Sequence, residues 1–192
     1  MHDLFPHLTP ILPETIFTSR HDAEDIRIGD LLAPFPKSLA DLSSAIVLVG
    51  APQDIGVARN GGRTGAKDAP VAIRKALYKL TPYLYDNGRV VSLSSRRLFD
   101  AGDILTDGSL EEIHQRLRSV VRAILDAGGF PIVLGGGHDI AYPDGAALGE
   151  LSLGELKLLF QFLKSAPVPP RPVLPVTLRP SLTDVLLRDR RV

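Results

Sequence analysis

Residues 109–139 read SLEEIHQRLRSVVRAILDAGGFPIVLGGGHD, and this stretch decides the fold. Ser109 with Glu112 three positions on makes a capping box, and Leu110, Ile113, Leu117, Val120, Val121, Ile124 and Leu125 recur at helical period until Gly128-Gly129 stops them. Residues 131–134 follow as a short buried strand, which runs into three glycines and ends on His138-Asp139. A strand holds a side chain at its end still while glycines leave space around it, so His138 is poised for metal binding or catalysis. Three roles stay open: a metal-binding pair with Asp139, a general base with that neighbour, or a histidine satisfied within the fold.

Working back along the chain, Ala45-Ile46-Val47-Leu48-Val49-Gly50 is apolar throughout, as expected of a strand with helices on both faces. It opens into a loop at 51–67, rich in glycine and polar residues. Asp68 then offers an N-cap, Pro70 sits in the first turn, and Ile73, Leu77 and Leu80 form one apolar helical stripe. Another strand is expected near 97–99, ending in Asp100-Ala101-Gly102-Asp103. Strand and helix alternate over 45–134, which predicts an α/β fold with a parallel sheet and ligands gathered at the carboxyl ends of its strands. The glycine-bearing loops 51–67 and 135–139 both fall at those ends. Asp54, Asp100 and Asp103 lie there too, and each reads equally well as a loop cap or turn former.

The flanks differ in character. Residues 1–44 are mixed and punctuated by proline, an N-terminal arm expected to pack on a domain at 45–150. Residues 151–163 suit a helix, but Pro167, Pro169, Pro170, Pro172, Pro175 and Pro180 follow, and prolines at that density fit neither a helix interior nor a central strand. A helix and an extended Pro/Arg-rich tail are therefore expected over 151–192.

Composition narrows the function. With 22 Lys+Arg against 22 Asp+Glu, the chain has no broad field for nucleic acid or an anionic membrane. It has no cysteine, so a metal would be held by histidine and carboxylates. No apolar run approaches the roughly 20 residues that span a bilayer, and the cytoplasm is the expected compartment. The loop Arg59-Asn60-Gly61-Gly62-Arg63-Thr64-Gly65-Ala66-Lys67 invites an anion-binding reading, but Ala66 stands where a P-loop needs lysine and no G-x-G-x-x-G opens the first helix. Arg59 and Arg63 are alternatively suited to a substrate carboxylate, or face solvent.

Taken in order, Gly50-Ala51-Pro52-Gln53-Asp54-Ile55-Gly56-Val57, Arg59 to Ala66, Pro70 with Ile73-Arg74, and Gly135-Gly136-Gly137-His138-Asp139 with Ala141-Tyr142 resemble the ureohydrolase superfamily of arginase, agmatinase and formimidoylglutamase. The Arg-Asn-x-Gly-Arg-x-Gly-Ala string looks most like the formimidoylglutamase branch. The resemblance covers about residues 45–148. It implies a three-layer α/β/α fold, incomplete here on its C-terminal side, and a pair of Mn2+ ions bridged by hydroxide that attacks a guanidino or formimino carbon. By position it makes His138 a metal ligand and puts Asn60 and Arg63 at the mouth of the substrate site, Arg63 facing the acidic end of formiminoglutamate.

The resemblance then breaks off. The superfamily's Asp-x-His-x-Asp and Asp-x-Asp strings, which carry most of its metal ligands, do not occur, and His138 is the last histidine. Near Leu178-Arg179-Pro180, Val173, Pro175 and Thr177 stand where the first string would need Asp, His and Asp. The expectation is an N-terminal portion of a manganese-dependent ureohydrolase, inactive alone, acting on a small amidino or formimino amino acid. A non-catalytic module that forms a homo-oligomer or docks on a full-length relative, an arginase- or agmatinase-type fragment, and a phosphate-binding module are the alternatives.

Overall fold

The computed structural model describes residues 6–34, 38–86 and 89–150. The expected helix over 151–163 and the proline-rich segment after it lie outside the described residues.

Four strands make the main sheet: β1 (Leu8–Thr9), β2 (Ile46–Gly50), β5 (Leu98–Ile104) and β6 (Phe130–Leu134), in the order β1, β5, β2, β6. β2 runs parallel to both β5 and β6, as strand-helix alternation requires, while β1 lies antiparallel on β5. The N-terminal segment thus contributes a strand. β1 comes close because position 102 is glycine at φ +85°, and a side chain there would collide with the carbonyl of Thr9.

Side chains along a strand alternate in direction, and the buried residues sort accordingly into two cores. Val47, Val49, Ala51, Phe99 and Ala101 meet Ile113, Leu117, Val120, Val121 and Ile124 of α3 (Leu110–Asp126) on one face. Leu48, Leu98 and Leu134 meet Tyr78, just past α2 (Ala69–Leu77), on the other. The fold is the expected three-layer α/β/α arrangement. Each large apolar side chain so buried contributes about 1.5–3 kcal/mol.

α3 forms for the reasons visible in its sequence. Ser109 Oγ accepts from the Glu112 amide at 3.3 Å, and Glu112 Oε2 accepts from the Ser109 amide at 2.7 Å. At the other end Gly128 takes φ +74°, so the amides of Gly128 and Gly129 close back on the carbonyls of Leu125 and Ile124, both at 2.9 Å.

Other expectations are corrected. α2 ends at Leu77, and of the stripe of Ile73, Leu77 and Leu80 only Leu77 packs against the core, partly buried, while Ile73 is 39% and Leu80 55% exposed. Pro70, Arg74 and, one turn further, Tyr78 face the core instead. The reason is Arg74, whose guanidinium bonds both oxygens of Asp100 at 2.6 and 2.9 Å, Asp103 at 2.6 Å and the Gly102 carbonyl at 3.0 Å. Asp100 and Asp103, expected where the strand ends, lie inside β5, which runs through them to Ile104. Asp68 occupies the N-cap position of α2 but makes no side-chain cap; a 3-10 turn, Ala66–Asp68, leads into the helix. The 51–67 loop holds a short helix, α1 (Ile55–Arg59), and a hairpin of β3 (Tyr83–Asp86) and β4 (Arg89–Ser92) stands apart from the main sheet.

β6 pairs only with β2 among the described residues. Phe130 donates its amide to Ala45 at 2.7 Å, so Pro131, one residue on, turns its nitrogen away from β2, where no donor is required. α4 (Ala141–Gly149) follows and joins the α3 face through Ala147.

Candidate functional site

Because β2 and β6 are adjacent and parallel, the loops leaving their carboxyl ends lie side by side. The Gly137 amide donates to the Gln53 carbonyl at 2.8 Å, and α1 packs against the 3-10 turn His138–Ile140. A side chain at Gly136 would strike the carbonyls of Ala51 and Gln53, so this glycine is what lets the two loops close. His138 opens the turn with an exposed ring, as expected of a side chain presented at a strand end.

Asn60 and Arg63 are both exposed, Asn60 at the C-cap of α1. The shared sheet end therefore carries His138, Asn60 and Arg63 on neighbouring loops. Arg59 has a different task from the one its loop position suggests. It grips Glu111 through both guanidinium nitrogens, at 2.5 and 3.2 Å, and this hydrogen-bonded partner holds the Glu111 carboxyl down at about 2. Asp54 accepts the Gly65 amide at 2.6 Å and so braces the same loop from within.

A second set of polar residues lies beneath His138. Asp139 Oδ2 receives Gln53 Nε2 at 2.8 Å and His114 Nε2 at 2.7 Å. A carboxylate only accepts, so the His114 proton sits on Nε2. Gln53 is 3% exposed, and its Oε1 also takes the Ile55 amide at 2.9 Å, which starts α1. The sequence assigns a role to neither: Gln53 stands only as one position of the Gly50–Val57 string, and His114 is not singled out. Their partner is far along the chain, and His114 stands between Ile113 and Leu117 in what reads as an ordinary amphipathic helix.

The model of the Arginase family matches residues 44–160, more than half the chain. This chain belongs to the arginase family. Among curated members, the formimidoylglutamase of Aeromonas hydrophila is 38% identical over 133 residues, covering 67% of this chain and 39% of its own length. That of Rhodococcus opacus is 40% identical over 171 residues, covering 83% and 50%. The chain thus spans between two fifths and half of these relatives. Trypanosoma cruzi formiminoglutamase, solved with Mn2+, superposes at a TM-score of 0.56 with 38% identity over 66% of this chain and 42% of that one. Bacillus subtilis formimidoylglutamase, 24% identical at a TM-score of 0.58 over 78% and 43%, has the same fold.

An arginase-family metal site draws on imidazole and carboxylate, and His138 fits as one such donor, exposed at a strand end. No group of three His, Cys, Asp or Glu side chains converges among the described residues.

Proposed function

We propose that this arginase-family chain carries the N-terminal part of a formimidoylglutamase-type site, for hydrolysis of N-formimidoyl-L-glutamate to glutamate and formamide, and that it is inactive by itself. The supporting observation is the position of His138, presented beside the 51–67 loop at the carboxyl end of β6, in a chain 36–41% identical to several formimidoylglutamases. In this reading Mn2+ is the cofactor, His138 one of its ligands, and the cytoplasm the compartment. Bound Mn2+ would lower the pKa of a coordinated water and offset the charge that develops on attack. Asn60 and Arg63, exposed on the adjoining loop, meet the substrate, and the Arg63 guanidinium suits its carboxylate. Inactivity follows from His138 being the one metal donor this reading assigns among the described residues.

The purified chain, given excess Mn2+, is expected to release no formamide from formiminoglutamate and no urea from arginine or agmatine. Turnover that disappears in His138→Ala would refute the inactive reading.

That β6 pairs only with β2 among the described residues favours a second reading, a non-catalytic module that assembles with a second copy or with a full-length relative. Co-expression with a full-length formimidoylglutamase followed by size-exclusion chromatography tests it, and a strictly monomeric chain that never comigrates would count against it.

A further inference from the structure

Asp139 is held more tightly than a surface carboxylate needs to be. Gln53 from the loop after β2 and His114 from α3 both donate to its Oδ2, and its Oδ1 is sealed from solvent with no hydrogen-bond partner. A Cβ at Gly56 would stand 2.5 Å from Oδ1, and one at Gly137 closer still, so these two glycines form the seat in which the carboxylate lies. The Tyr142 ring stands 6.1 Å from that of His114. Loop, turn and helix therefore converge on one side chain.

That side chain is the immediate neighbour of His138. In a 3-10 turn successive residues project about 120° apart. A pinned Asp139 therefore fixes the direction of the residue before it, and His138 is exposed while Asp139 is largely enclosed. Stability alone does not explain the arrangement, since an enclosed carboxylate with one bare oxygen is a weak stabiliser compared with an apolar contact of the same shape. What polar contacts add is direction.

We propose that His114 and Gln53 are positioning residues, which act through Asp139 to fix the His138–Ile140 turn and aim the His138 imidazole away from the sheet end. The inference deepens the proposed function, since it rests on His138 being the metal donor.

The test uses the full chain, isotopically labelled, with two readouts by NMR: amide exchange at 138–140 relative to β2, and broadening of the His138 ring signals by added Mn2+. In His114→Ala, exchange at 138–140 should rise at least about tenfold while β2 stays protected, because the turn opens locally. The Mn2+ concentration for half-broadening should rise about tenfold, the usual scale for losing a group that orients a ligand. His114→Gln, which keeps an N–H donor, should recover part of both. Unchanged local exchange in folded His114→Ala overturns the proposal. Should that variant fail to fold, Gln53→Met removes the other donor and is read the same way. If the wild-type His138 ring ignores Mn2+ and His138→Ala titrates identically, the metal reading fails, and the exchange measurement still decides whether the turn is held as proposed.

Discussion

Arg74 is the residue whose environment is most demanding. Burial works against its charge, yet the hydrogen bonds and charges of Asp100 and then Asp103 outweigh that cost and hold the guanidinium above its ordinary range. Burial likewise pushes the Tyr78 hydroxyl up, helped by its hydrogen bond to Asp100 and by that carboxylate's charge. Removing the arginine leaves two carboxylates without their cation, so Arg74→Met should cost about 3–5 kcal/mol in urea unfolding. Asp144 is the opposite case. It sits on α4 with one oxygen enclosed and unpartnered, and burial raises its pKa to about 6. The folded state then holds a proton that the unfolded chain releases near 4, so stability falls as pH rises from about 4 to 6. Asp144→Asn should accordingly raise Tm at pH 7 and leave it nearly unchanged below pH 4; equal gains at both pH values would remove the cause.

At the scale of elements, legibility followed the distance between a residue and what explains it. α3, β2 and β6 were readable because cap, stripe and stop lie within their own sequences, and Ser109→Ala should lower stability by about 1 kcal/mol through loss of that local cap, as thermal melts will show. The buried face of α2 was not readable. The local pattern of Ile73, Leu77 and Leu80 points one way, while Arg74 answers to carboxylates in β5, 26 and 29 residues on. The hairpin escaped notice although Asn87-Gly88 after Tyr83-Leu84-Tyr85-Asp86 is a strong two-residue turn signal. For the site, His138 announced itself through its glycines, whereas Gln53 and His114 become visible only when β2, α3 and β6 are brought together.

At the scale of the whole molecule, the main sheet has unequal margins among the described residues. On the outer side of β5, Leu32 bridges Leu98 at one end and β1 covers Asp103 and Ile104 at the other. β6, at the opposite margin, has no further strand among the described residues, and Ile132 is 40% exposed there. A free strand edge with apolar side chains attracts another. Ile132→Lys should therefore shift the chain toward monomer in sedimentation velocity, whereas an unchanged distribution would place any self-association elsewhere. The asymmetry also limits how far such association can run. Among the described residues β6 is the one open margin of the main sheet, so two chains joined there present only shielded margins of that sheet to a third. Growth through the main sheet then halts at pairs.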